Sequence, residues 1–352
     1  MPDEKRKQKQ KLILTCCQAR LYKGEKCRCE SIAIIQRTWR DHHQKLSGLP
    51  VVKVGKEKLS YHSIDAFLRT AKNQNDSNNK QREAIVDALV NRKIPDDYFR
   101  ASRRWNCLRG AVNTFVEGVF PEREHQITCK QKGGRKFNYD FDFVCGEKTA
   151  HIELKFNAAD VDETPQFASP MKPSQYLSQG FEEHHYNTVL PRIAEVAKER
   201  LGGLPEKEAY FKEIHGNKPA CMAEYQKLYY QGCKGSSKFT EDPVAINFYE
   251  TALIKSKQGI HDFIEATQLD ADKLTEYLLE TQKGKVYMLY SKGKFIKQEV
   301  NLDDYIITSV TKNAKKSRYE CETKTGIKLN VLLRWKNGNG IAFPAFQISA
   351  HR

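Results

Sequence analysis

Two short stretches of alternating residues carry side chains that could do chemistry together. Asp140 and Asp142 alternate with aromatic residues, and Glu153 follows Asp140 by thirteen positions in a stretch that continues to Lys155. Alternation with a period of two is typical of half-buried strands, in which the polar side chains share one face. A turn at residues 145–148 would close the two strands into a hairpin. The pattern therefore predicts carboxylates and an ammonium group on a single face.

The predicted hairpin sets like charges against each other. If its turn is centred on the Gly-Glu pair, Asp140 lies opposite Glu153 and Asp142 lies opposite His151, with paired Cβ atoms about 5 Å apart. Facing carboxylates repel each other, so the arrangement favours a divalent cation between them. Carboxylate oxygens suit Mg²⁺, with Mn²⁺ tolerated, and substrate phosphates commonly complete the coordination of Mg²⁺.

A cation at this position would support hydrolysis of a phosphodiester. It can polarise a phosphate oxygen and lower the pKa of a bound water, which becomes the nucleophile. Lys155 lies two residues beyond Glu153 on the same face, where it can hold or activate the attacking water. The alternative is that Glu153 and Lys155 form the solvent face of an ordinary hairpin, since this pair of residue types is common in strands.

The acidic strand, the turn and the triplet Glu153-Leu154-Lys155 resemble the PD-(D/E)XK nuclease superfamily, which includes type II restriction enzymes, junction resolvases and repair nucleases. The triplet matches the E-x-K element, whereas Tyr139 stands where the name-giving proline would be. The resemblance implies metal ligation by Asp140 or Asp142 and by Glu153, and a catalytic role for Lys155. Hairpin register favours Asp140, but a turn shifted by two residues would move Asp142 into its place.

The composition suits a polyanionic partner. The 352 residues include 59 Lys and Arg against 44 Asp and Glu, a net charge of +15 that would attract nucleic acid. A hydrophobic content of 39% argues against widespread disorder. We find no apolar run near the roughly 20 residues that span a bilayer, which predicts no membrane association and an intracellular protein with reduced thiols.

Residues 1–50 are predicted to form a basic appendage. Its four cysteines have the spacing C-C-x9-C-x-C, which lacks the C-x2-C pairs of most structural zinc sites, so zinc competes with simple reduced thiols. A helical stretch at 31–46 also resembles part of a calmodulin-binding IQ motif, against an ordinary amphipathic helix. The candidate zinc ligands are Cys16, Cys17, Cys27 and Cys29.

Helix patterns flank the hairpin on both sides in sequence. One helix is predicted over 97–119, and others over 175–198, 218–231, 243–255 and 270–281. Many members of the superfamily carry an additional acid on the helix before the hairpin, and Glu117 is the candidate here. The alternative is that Glu117 belongs to a solvated helix flank.

Residues 285–350 are predicted to be β-rich, with a hairpin turn at 337–340. Basic and amide side chains in this part, and in the loop before the acidic strand, could contact phosphates or base edges. Contact with solvent alone is the competing interpretation. The candidates for DNA binding are Lys132, Arg135, Lys136, Lys315, Lys316, Arg318, Arg334, Lys336 and Asn337.

Together these patterns predict an α/β protein whose mixed β-sheet core, with flanking helices, is restriction-endonuclease-like. The nuclease domain would span 51–352 and carry the catalytic hairpin at 137–157. The predicted function is a Mg²⁺-dependent endonuclease of the type II restriction type on duplex DNA, as a homodimer if two centres are to meet two strands. The alternatives are a structure-specific repair nuclease or junction resolvase, and a non-catalytic basic nucleic-acid-binding protein.

Overall fold

The computed structural model describes residues 46, 48–68, 75–122, 124–133, 137–164 and 166–351. The four N-terminal cysteines, most of the IQ-like stretch, Arg135 and Lys136 lie outside these ranges, so the predictions that concern them stay predictions. By internal contacts the chain divides into two compact units, Met1–Asn113 and Thr114–Arg352. The expected domain boundary near residue 50 also remains a prediction.

The first unit combines a small hairpin with helices. Its core includes Tyr98 and Trp105, whose rings lie 5.3 Å apart and are fully buried. The single helix predicted over 97–119 is wrong, because Ser102 adopts an extended conformation and divides it in two. The elements are β1 (Val52–Val54), β2 (Glu57–Leu59), a 3-10 helix (Tyr61–Phe67), α1 (Asn75–Val90), α2 (Asp96–Ala101) and α3 (Arg103–Val119), which continues into the second unit.

A five-stranded mixed sheet forms the centre of the second unit and confirms the predicted α/β class. Its order is β3-β4-β5-β6-β7, and all neighbours are antiparallel except β5 and β6. The parallel pair requires a long crossover, which the helices between β5 and β6 supply. The strands are β3 (Thr128–Gln131), β4 (Phe141–Cys145), β5 (Lys148–Phe156), β6 (Lys285–Ser291) and β7 (Lys294–Glu299).

The crossover is helical in the regions that the patterns indicated. The helix predicted to end at 255 is longer, because Ile260 and Phe263 continue its buried face beyond the exposed lysines. Asp242 caps this helix by accepting from the N–H of Val244 (3.0 Å). The helices are α4 (Phe181–His184), α5 (Leu190–Ala194), α6 (Lys198–Leu201), α7 (Lys207–Glu213), α8 (Ala223–Gly232), α9 (Pro243–Ala266) and α10 (Ala271–Gln282), with a π-helical turn at His185–Val189.

The β-rich C-terminal part divides between two sheets. Strands β6 and β7 join the sheet of the hairpin, and the remaining strands form an antiparallel sheet of order β11-β10-β9-β8. The last hairpin has a longer loop than predicted, since its second strand begins at Pro344 rather than directly after the Asn-Gly repeat. The strands are β8 (Ile307–Asn313), β9 (Arg318–Thr323), β10 (Lys328–Trp335) and β11 (Pro344–His351).

The two faces of the mixed sheet have different roles. On one face Phe141, Phe143 and Ile152 are completely buried, and Phe115 of α3 packs edge-on against Phe143 with ring centroids 6.4 Å apart. Because side chains alternate along a strand, the acidic residues of β4 and β5 lie on the other face. Within the described ranges, no helix is both long and apolar enough to cross a membrane.

Candidate active site

The β4–β5 hairpin has the predicted register over its ladder. Asp142 pairs with His151 and Phe141 with Ile152, around a turn in which Gly146 has φ +57°. Asp140 lies one residue before the strand, and its backbone N–H donates to the carbonyl of Ile152 (2.9 Å). The predicted placement of Asp142 opposite His151 is therefore confirmed, whereas Asp140 stands just outside the regular pairing.

A backbone hydrogen bond fixes the carboxylate of Asp140 beside β5. The N–H of Leu154 donates to Asp140 Oδ2 (2.8 Å). Leu154 is the middle residue of the Glu-Leu-Lys triplet, so this bond holds Asp140 next to the two polar side chains on either side of it. A charge-assisted bond of this kind restricts the carboxylate more than a contact with solvent would.

Asp140, Lys155 and Lys285 form a compact charged cluster with Glu153. Lys155 Nζ lies 2.7 Å from Glu153 Oε1, and Lys285 Nζ lies 3.6 Å from Glu153 Oε2. The side chains are 13% exposed for Glu153, 20% for Lys155 and 3% for Lys285. Because water is largely excluded, these charges interact more strongly than surface ion pairs do.

Lys285 is the member of this cluster that the sequence did not predict. It begins β6 and pairs with His151 across the parallel junction, which places its side chain on the face of Glu153 and Lys155. Burial lowers the pKa of Lys285 and the nearby ammonium of Lys155 acts in the same direction, while Glu153 and Asp140 oppose the shift. A lone lysine before an apolar strand was the only local signal, and it did not identify the partner strand.

The charged cluster lies in a cleft of about 940 Å³. Four lysines and three carboxylates line the cleft, together with aromatic and amide side chains. Asp140, Glu153 and Lys155, three of the predicted catalytic residues, converge there. Among its other charged residues are Lys172, Glu280, Lys285 and Lys336, and its aromatic residues are Phe137, Tyr139, Phe167, Tyr176 and Tyr277.

Comparison with known proteins gives no relative. No known family, curated protein or solved structure matches this chain. Its function must therefore be inferred from the residues and from their geometry.

Asp142 lies on the same face but has other partners. Its carboxylate contacts Lys132 Nζ (3.0 Å) and His151 Nδ1 (2.8 Å), and it is not among the residues that line the cleft. Burial raises the pKa of Asp142, but the hydrogen bonds with Lys132, His151 and Tyr139 outweigh that effect and lower it. The ring of Tyr139 stacks on His151 at 4.4 Å. Asp140 lines the cleft and Asp142 does not, so the geometry favours Asp140 as the aspartate that would act there.

Glu117 is not brought to the cleft. Its helix α3 packs through Phe115 against Phe143, on the sheet face opposite to Asp142. Glu117 is exposed and does not line the cleft. Its role as an additional acid at this site has no support in the geometry.

Of the candidate DNA-binding residues that the structure describes, Lys336 lines the cleft and the others do not. Lys336 lines the cleft, although it comes from the hairpin loop after β10 in the other sheet. Lys132 forms an ion pair with Asp142 of β4. The others do not line the cleft: Lys315 and Lys316 are exposed on the β8–β9 turn, Arg318 pairs with Glu320, Arg334 donates to Gln347 (2.6 Å) and Asn337 donates to Asn217 (3.0 Å).

The donor set suits a hard cation that is completed by substrate. In the part of the chain that the structure describes, no three or more His, Cys, Asp or Glu side chains form a metal-holding group. Asp140 and Glu153 supply two carboxylates, and Mg²⁺ needs only one or two when waters and substrate phosphates provide the other ligands. The residues thus fit Mg²⁺ or Mn²⁺ held jointly with a phosphate.

Proposed function

We propose that this chain is a Mg²⁺-dependent endonuclease that hydrolyses DNA phosphodiester bonds. The observation that carries the proposal is the convergence of Asp140, Glu153 and Lys155 in one recessed cleft. A hairpin with an incidental Glu-x-Lys pair would leave these side chains on an open surface. Here Glu153 and Lys155 are largely shielded from water, and the buried Lys285 lies 3.6 Å from Glu153 Oε2.

The chain's own residues divide the chemistry between them. Asp140 and Glu153 would hold the ion, which when bound polarises the phosphate and acidifies a water. Lys155 donates hydrogen bonds to a non-bridging phosphate oxygen or to the attacking water once it exchanges Glu153 for substrate. The bond from Leu154 N–H keeps Asp140 oriented during that exchange. Preorganised charges in a site that excludes water commonly supply much of the rate enhancement in such reactions.

The charge distribution supports a nucleic-acid substrate. The net charge of +15 attracts a polyanion without sequence preference. Lys172 and Lys336 also line the cleft, so positive charge extends beyond the cluster around Glu153. Phosphates that flank the scissile bond can contact these two lysines.

The finer assignment also belongs to the proposal. The mixed sheet with helices on its connections is the kind of core that the PD-(D/E)XK resemblance implies, and the basic C-terminal turns could read sequence as a type II restriction enzyme does. A homodimer would place one centre on each strand of a duplex. Sedimentation with and without DNA checks the dimer.

A structure-specific repair nuclease or junction resolvase is the second candidate, and the depth of the site favours it. Glu153 is 13% exposed and Lys285 is 3% exposed, so the reacting phosphate must enter the cleft. A flexible or displaced strand can enter more easily than a continuous duplex. Sequencing the ends of cleavage products separates fixed-site cutting from cutting at branches.

Cleavage is expected to require a divalent cation. Supercoiled plasmid incubated with the protein and Mg²⁺ or Mn²⁺ should be nicked or linearised, and excess chelator should leave it intact, because the proposed reaction uses a bound cation to acidify the attacking water. Gel electrophoresis measures the products. Retention of intact plasmid on the protein under all conditions would instead favour a non-catalytic DNA-binding protein.

The two aspartates are expected to differ. Asp140→Asn should lower the cleavage rate about 100-fold, because it removes a charged ligand from the cleft. Asp142→Asn should lower the rate only about 10-fold, because Asp142 does not line the cleft and acts through Lys132 and His151. Initial rates on the same plasmid compare the matched pair. Equal losses in the two variants would contradict the assignment of Asp140 as the leading acid.

A further inference from the structure

Lys285 is an unusual residue for the position that it occupies. Among the lysines that the structure describes, it alone is buried, at the start of β6, which lies between β5 and β7 in the mixed sheet. Burying an ammonium group costs free energy that an apolar residue of similar size would avoid. Its Nζ lies 3.6 Å from Glu153 Oε2 and 5.6 Å from the centre of the Tyr287 ring. Such a group is a candidate for a role beyond packing.

The charges around Glu153 cancel in the free protein. The cluster holds two carboxylates, Asp140 and Glu153, and two ammonium groups, Lys155 and Lys285. Each oxygen of Glu153 has its own lysine, since Lys155 contacts Oε1 and Lys285 contacts Oε2. A divalent cation that approaches this cluster meets no net negative charge. A phosphodiester in the cleft would supply the missing negative charge and a further oxygen ligand.

We propose that Lys285 is a built-in counter-cation that makes binding of the metal ion depend on prior or simultaneous binding of nucleic acid. Lys155 is closer to solvent and can turn to the phosphate, whereas Lys285 is held in place by the sheet. Lys285 therefore repels the ion until a phosphate offsets its charge. The inference rests on the proposed nuclease function, because it assigns the order in which that function's ligands assemble.

The consequence is a protein that does not hold its ion without substrate. The two carboxylates alone are too few to retain Mg²⁺ against its hydration, and the lysine pair weakens their attraction further. Metal-dependent chemistry is then confined to complexes that already contain a phosphodiester. Lys285 acts as a positioning residue, because it works through Glu153 and the ion rather than on the reacting atoms.

Mn²⁺ binding measured by calorimetry tests this inference on the full chain. The wild type is expected to bind Mn²⁺ at least about 10-fold more tightly with a phosphorothioate oligonucleotide than without it, and a gel of the titrated sample checks that the oligonucleotide stays uncut. Lys285→Met removes the counter-cation and should tighten binding of Mn²⁺ to the free protein about 10- to 100-fold. Lys285→Arg keeps a cation at this position and should bind Mn²⁺ as weakly as the wild type does. Lys294→Met is the matched control, since it removes an exposed lysine from the adjacent strand.

Two results would overturn the inference. One is wild-type affinity for Mn²⁺ that is the same with and without the oligonucleotide, which is decisive even if Lys285→Met does not fold. The other is a folded Lys285→Met variant whose affinity equals that of the wild type. Plasmid cleavage by the wild type with Mg²⁺ distinguishes failure of the proposed role of Lys285 from failure of the proposed nuclease function. If cleavage occurs and affinities do not change, only the role of Lys285 fails; if no DNA is cleaved, the proposed function fails.

Discussion

Replacing Lys155 with methionine is expected to slow DNA cleavage about 100- to 1000-fold, because it removes a preorganised cationic donor from the cleft. Methionine keeps the length of the side chain and its apolar contacts. The Lys155 side chain is 20% exposed and Glu153 keeps its contact with Lys285, so the substitution should leave the fold intact. Single-turnover cleavage at saturating Mg²⁺ isolates the chemical step from binding and product release.

The same variant should bind DNA with little change in affinity. One ammonium among 59 Lys and Arg residues contributes little to overall electrostatic attraction. Lys328→Met, which removes an exposed lysine from β10, is the control and should cleave at the wild-type rate. A Lys155→Met protein that remains folded and cleaves as fast as the control would exclude Lys155 from the reaction.

Local patterns in the sequence were enough to predict the hairpin. The turn and the period-two alternation lie within about twenty consecutive residues, so the pairing of Asp142 with His151 could be derived without knowledge of the rest of the chain. The hairpin register favoured Asp140 but left Asp142 as an open alternative. The choice depends on Lys132, which directly follows the neighbouring strand β3 and pairs with Asp142.

Contacts between distant parts of the chain account for what the sequence could not predict. Lys285 joins the site only because β6 pairs in parallel with β5, and more than a hundred residues of helical crossover separate the two strands. Lys336 reaches the cleft from the other sheet. Period-two patterns identify a strand but not its partner, so the strands after 285 could not be divided between two sheets.

Two predicted helix boundaries were also wrong, near Ser102 and at the end of α9. Ser102 interrupts an otherwise regular helical pattern by adopting an extended conformation, which residue propensity alone did not indicate. In α9, the exposed Lys255 and Lys257 resemble a helix end, yet Ile260 and Phe263 continue to pack into the core. Tertiary packing explains the longer α9, whereas the break at Ser102 is local, because its hydroxyl accepts from the N–H of Trp105 (3.4 Å) at the start of α3.

Acid is expected to destabilise the folded chain through His185. The imidazole is 1% exposed, packs 4.5 Å from the Trp335 ring, and its Nε2 lies 3.0 Å from the carbonyl oxygen of Gly340. Burial lowers the pKa of His185 from 6.5 to about 3. The folded protein thus holds a neutral imidazole while the unfolded chain takes up a proton below pH 6.5. Stability from this group is complete above pH 6.5 and decreases by about 1.4 kcal/mol per pH unit as the pH falls towards 3, up to about 5 kcal/mol.

His185→Gln isolates this contribution. Glutamine retains a donor for the Gly340 carbonyl but does not titrate, so the free energy of unfolding of the variant should rise relative to the wild type by about 3 kcal/mol between pH 6.5 and 4.5. Urea unfolding at a series of pH values measures the difference. His261→Gln is the control, because that side chain is 37% exposed. A difference between His185→Gln and wild type that is independent of pH would show that His185 is not held neutral.

The comparison with a variant is necessary because Glu182 acts in the opposite direction. Burial raises the pKa of Glu182 to about 7, outweighing its backbone hydrogen bonds. His215 Nε2 lies 3.3 Å from Glu182 Oε1, and burial lowers the pKa of this histidine. The stability that protonated Glu182 supplies is present below pH 4.5 and is lost as the pH rises through 7. Between pH 4.5 and 6.5 the slopes from Glu182 and His185 therefore oppose each other. Stability of the wild type should therefore fall less steeply there than His185 alone would cause, and Glu182→Gln should make the fall steeper.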